Sequence, residues 1–98
     1  MTNNIDFYFD FISPYTYIGH KRIQIEAKEI NFTYKPILLG GLHKLWNITP
    51  QAFIKPKKDF MIMDCNMVSK KFQIDFKFNS NFPINTIKLM RGCLVLEN

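Results

Sequence analysis

The stretch Asp6-Phe7-Tyr8-Phe9-Asp10-Phe11-Ile12-Ser13-Pro14-Tyr15 constrains this chain more than any other. Ile5, Phe7, Phe9 and Phe11 alternate with Asp6, Tyr8 and Asp10, a period of two that predicts a strand. The alternation stops at Ser13-Pro14. Serine is a favoured helix N-cap, and proline suits the first helical position because its missing N–H would find no intrahelical partner there. A strand is therefore expected to feed directly into a helix with a hydroxyl at the turn. Such a turn gathers free backbone N–H groups and the positive end of a helix dipole, which suits a bound anion.

The rest of the chain reads as short alternating elements. A helix is expected from Tyr15 to about Ile30, with Tyr15, Ile18, Ile23, Ala27 and Ile30 on its apolar face. Gly19 in its middle suggests close packing. Phe32 to Leu39 reads as a second strand, although Pro36 removes one ladder donor. A strand, a helix and a second strand most simply form a right-handed parallel unit. Gly40-Gly41 is expected to break the strand, with a short helical turn over Leu42–Trp46 and a loop over Asn47–Pro50. Pro56 to about Phe72 predicts a second full helix with Phe60, Met63, Asp64, Met67 and Lys71 on one face. Its methionines are expected in the core. Gln73 to Pro83 is irregular, and Asn85-Thr86 can cap a last helix carrying Leu89, Met90, Cys93, Leu94 and Leu96.

Ninety-eight residues allow at most one small domain, and 47% hydrophobic content with ten phenylalanines argues for a packed core rather than disorder. The net charge of +5 is dispersed, with Lys57-Lys58 and Lys70-Lys71 as the only adjacent lysine pairs, so a solvated surface is favoured over a nucleic-acid footprint. Cys65 and Cys93 form no C-x-x-C pair and read as small buried hydrophobes, with no disulfide framework and no metal site. No signal peptide or membrane-length apolar run is evident, so a cytoplasmic location without membrane contact is expected. His20 and His43 have no partner pattern and receive no role.

Taken in order, the opening stretch through Tyr17 and then Pro36-Ile37-Leu38-Leu39-Gly40-Gly41 resemble the 2-hydroxychromene-2-carboxylate isomerase family. That family is close kin to the kappa-class glutathione transferases, within the DsbA-like thioredoxin superfamily. Asn47 and Pro50 resemble the family's Gly-Asn-x-Pro-Pro loop, with Trp46 and Gln51 as departures. Pro56, Lys57, Phe60 and Asp64 resemble its Lys-x-x-aromatic-x-x-x-Asp helix, and Phe82-Pro83-Ile84-Asn85-Thr86 its Phe-Pro-x-Asn-Thr segment.

The resemblance implies an α/β thioredoxin-like fold, with the β-α-β half over residues 1–41 and part of an inserted helical domain over residues 42–98. Family members are longer, and a Val-Pro-Thr segment, two strands and a last helix have no counterpart up to Asn98; the chain is expected to be a truncated N-terminal portion. Redox relatives carry a C-x-x-C motif where this chain has Ser13-Pro14-Tyr15-Thr16, so dithiol–disulfide exchange at this turn is excluded. The resemblance instead implies glutathione as cosubstrate, with Ser13 as the catalytic residue stabilising its thiolate. The isomerase would add that thiolate reversibly to a substrate double bond; the transferase would pass the sulfur to an electrophile; an inactive remnant would serve only in binding or assembly.

Four further residues follow from the resemblance. Tyr15 lines the site or starts the helix's buried face. Asn47 contacts glutathione or forms a turn. Lys57 pairs with a carboxylate of glutathione or substrate, with Lys58 or a plain surface lysine as alternatives. Asp64 pairs with a lysine one turn away or orients the site. Expected partners are a small aromatic or electrophilic substrate and, from the family, a second copy in a homodimer.

Overall fold

In the computed structural model, which describes residues 4–97, the chain runs β1 (Asn4–Phe9), α1 (Pro14–Glu26), β2 (Asn31–Pro36), α2 (Leu39–Leu45), a 3-10 turn (Gln51–Phe53), α3 (Lys55–Lys71) and α4 (Ile87–Glu97). β1 and β2 pair in parallel from Asn4 opposite Asn31 to Phe9 opposite Pro36, with α1 as the crossover. Ile37 adds one further bond, its N–H donating to the Phe9 carbonyl at 2.9 Å. The strand–helix–strand unit thus stands as the alternation implied.

β1 ends two residues before the period-two pattern does, and Asp10 leaves the ladder. Alternation places Asp10 on the solvated face, yet it is 2% exposed. Its carboxylate accepts the Ile12 N–H at 3.0 Å and the Thr86 hydroxyl at 2.6 Å on Oδ1, and the Leu39 N–H at 3.0 Å on Oδ2. These bonds explain two departures from expectation. Leu39 opens α2, and α2 has no side-chain cap of its own, so Asp10 satisfies one of its orphan donors from a distance. Gly40 and Gly41 therefore lie in the first turn of a helix rather than in a break, and the boundary expected at 41/42 falls inside α2. Thr86 begins α4 through its carbonyl, which accepts the Met90 N–H, while its hydroxyl serves Asp10; Asn85 accepts the Ile87 N–H at 3.0 Å.

The core joins α1 to α3 and to the chain that follows α3. Ile18, Met61, Cys65 and Ile74 are buried together, with Val68, Phe72, Phe76, Phe78 and Phe82 packed around them. The Arg22 guanidinium stacks 3.8 Å from the Phe72 ring centroid, a contact worth about 1 kcal/mol when partly desolvated. The Tyr17 hydroxyl donates to the Asp75 carbonyl and draws the irregular segment onto α1. At Gly19 an added Cβ would lie 3.6 Å from the Phe7 ring, an ordinary contact, so close packing does not require glycine there.

α3 corrects the expected face. Phe60, Met63 and Met67 are exposed, while Met61, Cys65 and Ser69 are buried. Apolar residues repeat at helical spacing on both sides of this helix, and the phenylalanines of residues 72–82 pack on the second side. The Ser69 hydroxyl donates back to the Cys65 carbonyl at 2.7 Å, which lets a polar residue sit in that buried stripe. α1 is likewise shorter than expected and stops at Glu26, because residues 27–30 must turn the chain back into register with β1.

Both α2 and α3 close with paired terminal bonds around a residue at positive φ. Asn47 (φ 53°) donates to Lys44 and Ile48 to His43; Gln73 (φ 55°) donates to Lys70 and Ile74 to Ser69. This is the Schellman arrangement, in which glycine is favoured and asparagine tolerated. Gln73 holds a conformation that costs a non-glycine residue roughly 1 kcal/mol. Gln73→Gly is expected to raise unfolding free energy by up to about 1 kcal/mol, read from the urea midpoint. Asp10→Ala is expected to lower it by roughly 3 kcal/mol, because it strands one buried and two part-buried donors; Thr86→Val removes only one and should cost about 1–2 kcal/mol.

Candidate functional site

The turn from β1 into α1 is the most built-up polar feature of the structure. The Asp10 carbonyl accepts the Ser13 N–H at 3.0 Å, closing a tight turn that its carboxylate also braces at Ile12. Ser13 has extended backbone (φ −86°, ψ 116°), caps α1, and accepts the Thr16 N–H on Oγ at 3.3 Å; Pro14 follows at the first helical position. The cap read from Ser13-Pro14 is therefore present. The expected cluster of free N–H groups is smaller than the motif suggests. Pro14 has none, the Ser13 and Thr16 groups are taken, and Tyr15 holds the remaining first-turn N–H without an intrahelical acceptor.

Two clefts meet at this turn. One, of about 470 Å³, is bordered by Ser13, Tyr15, His43, Thr49, Met61 and Pro83 among others. The second, of about 320 Å³, lies on the other side of Pro14 against Phe11, Tyr17, Phe76, Phe78 and Phe82. Ile12, Ser13, Pro14 and Phe82 border both. A serine hydroxyl carries one donor and two acceptor positions. Accepting from Thr16 therefore leaves its proton free to donate to a group at this junction.

The residues picked from the sequence are not all brought together. Ser13 and Tyr15 share the larger cleft. Asn47 is exposed at the end of α2 and borders neither cleft, although Ile48 and Thr49 after it border the larger one. Lys57 is exposed on α3 and also borders neither. Lys58 is half-buried, and its ammonium donates to the Phe82 carbonyl at 3.4 Å. Asp64 meets Tyr15 rather than a lysine, accepting the Tyr15 hydroxyl at 2.7 Å.

Asp10, Thr86, Phe82 and Pro83 were given no role at the site by sequence reasoning. The signal for Asp10 was present: an aspartate two residues before an N–H at a serine–proline turn matches an Asx-turn. Nothing in the sequence joins it to Thr86, 76 positions away. Among the described residues no group of three His, Cys, Asp or Glu is placed to hold a metal ion, and no helix is long and apolar enough to cross a membrane.

Three protons around α1 are held tightly. Loss of solvent around the Tyr15 phenol raises its pKa well above the ordinary phenol value, and the hydrogen bond to Asp64 adds to this. Burial also raises Tyr34, whose hydroxyl lies 2.6 Å from His20 Nδ1. The Cys65 thiol is raised by its burial as well. In each case the folded form binds the proton more tightly than the unfolded chain. The stabilisation is complete below the unfolded values, about 9 for the thiol and 10 for the phenols, and is lost as pH rises through the folded ones. The urea midpoint is expected to fall with pH above about 9, with a shallower fall in Tyr15→Phe.

Comparison with known proteins places the chain in a family. A family model of the DSBA-like thioredoxin domain matches residues 4–98. The chain is 33% identical over 73 residues to glutathione S-transferase kappa 1 of Caenorhabditis elegans, across 71% of this chain and 32% of that protein. It is 29% identical over 82 residues to the 2-hydroxychromene-2-carboxylate isomerase of Pseudomonas putida, across 80% of this chain and 40% of that enzyme. Against the isomerase of the same name from Sphingobium xenophagum it is 30% identical over 86 residues, or 84% of this chain and 44% of the relative. The chain thus spans less than half the length of these curated relatives. No solved structure matches it significantly. With the family model covering nearly every residue, the chain belongs to the DSBA-like thioredoxin domain family.

Proposed function

We propose that this chain carries the thiol-activating portion of a glutathione-dependent isomerase of the 2-hydroxychromene-2-carboxylate type, with Ser13 as the catalytic residue. The observation that carries the reading is the Ser13 hydroxyl: it caps α1 through Thr16 and keeps its proton at the junction of two clefts. No cysteine stands at residues 13–16, so in this reading the reacting sulfur is brought by a ligand. A hydroxyl donating to that sulfur, at the positive end of a helix, favours thiolate over thiol.

In the isomerase the thiolate adds to a carbon of the substrate double bond, forming a C–S bond and leaving a single bond that rotates. Elimination then breaks the C–S bond, restores the double bond in the other geometry and releases glutathione unchanged. The ring of Tyr15 forms part of the cleft wall. Asn47 as a glutathione contact and Lys57 as the partner of a carboxylate of glutathione or substrate would act from outside the two clefts, with Lys58 as the cation nearer the shared wall. The reading includes a thioredoxin-like β-α-β part ending before α2, a helical part from α2 onward, a small aromatic or electrophilic substrate, a homodimer and a cytoplasmic setting. A kappa-type transferase is the second reading, favoured by the 33% identity to the kappa 1 protein. It shares the activation step and differs in transferring the sulfur to an electrophile.

The test is a calorimetric titration with reduced glutathione, followed by thiolate absorbance of the bound ligand against pH. Binding at millimolar ligand is expected, with the bound thiol ionising at lower pH than free glutathione. Ser13→Ala is expected to return that ionisation towards the free value, while costing only the ~1 kcal/mol of a lost cap in stability. No binding at millimolar glutathione, or an unchanged ionisation in Ser13→Ala, would sink the proposal for this chain.

A further inference from the structure

Tyr15 stands two residues beyond Ser13 and borders the same cleft, with its ring 40% exposed. Its hydroxyl does not face a ligand there. It donates at 2.7 Å to Asp64, a residue 49 positions away that borders neither cleft. α3 therefore does two things at this wall: Met61 lines the cleft, and Asp64 holds the phenol that stands beside it. We infer that Asp64 is a positioning residue, one that locks the Tyr15 ring as a fixed wall of the Ser13 cleft and withholds the phenol from whatever binds there.

The physical argument is one of competition for a donor. A phenol two residues from Ser13 is a second O–H able to reach an anionic ligand, and a ring free to swing would open or close the cleft. Acceptance by a carboxylate is a charge-assisted bond, stronger than one to a neutral group, and it fixes the ring torsions. Buried Cys65, next to Asp64 on α3, also interacts with the phenol. Burial of the phenol is the larger cause of the tight hold on its proton, and the bond to Asp64 adds to it. The consequence for function rests on the glutathione reading given above; the clamp itself does not.

The test uses wild type, Tyr15→Phe, Asp64→Asn and the double variant. In a spectrophotometric alkaline titration, Asp64→Asn is expected to move one tyrosine to lower pH, and to move none in the Tyr15→Phe background. For reduced glutathione, Asp64→Asn is expected to weaken binding by about fivefold, with no further loss when added to Tyr15→Phe. An unmoved titration in Asp64→Asn would overturn the clamp. Equal losses of glutathione affinity in both backgrounds would overturn its role in shaping the cleft. Should wild type not bind glutathione, the proposed function fails by itself, and the titration alone decides whether Asp64 holds Tyr15.

Discussion

The buried carboxylate of Asp10 is the contact on which the rest of this structure depends. It accepts three hydrogen bonds from donors that belong to different parts of the chain: the turn after β1, the start of α2 and the start of α4. Taking a carboxylate out of water is costly unless its lone pairs are satisfied, so each donor is needed for the others to remain in place. The hydrophobic core does not do this work, because Ile18, Met61, Cys65 and Ile74 lie between α1, α3 and the chain after it. That core packs the middle of the fold, while Asp10 fixes where its segments meet.

The Ser13 turn inherits its geometry from that carboxylate. Asp10 holds Ile12 through its side chain and Ser13 through its carbonyl, so the residue that caps α1 is fixed before the helix begins. Capping and chemistry do not compete here. The cap uses an acceptor position of the serine oxygen, and the proposed chemistry uses its proton. A sequence motif that reads as a helix cap and a structure that places a free O–H between two clefts are two consequences of one side chain.

What the sequence discloses is local, and what it conceals is long-range. Period-two alternation over residues 5–11, serine followed by proline, and the distance between the two apolar strands were enough for β1, α1, β2 and their parallel order. The family resemblance supplied the thioredoxin-like fold that the family match supports. The buried face of α3 was misread because apolar residues recur at helical spacing on both sides. Phe60, Met63 and Met67 form as good a stripe as Met61, Cys65 and Val68, and only the phenylalanines arriving later decide between them. Asp10 was misread because it continues an alternation in sequence that the backbone abandons at Phe9. Its partners Leu39 and Thr86 lie 29 and 76 positions away, beyond the range of any spacing rule.

Two polar ties of unlike character therefore bracket Ser13. Upstream, Asp10 joins the approach to the helix to α2 and α4, deep in the interior, where losing a partner leaves desolvated donors unpaired. Downstream, Asp64 joins the first turn of the helix to α3 at a half-open surface, where water can replace either partner. The first must contribute mainly to stability. The second can contribute little to it, and so is free to be selected for the orientation of a single ring. A hydroxyl set between a buried tie that holds the fold and a surface tie beside the larger cleft can keep its position while the cleft around it varies.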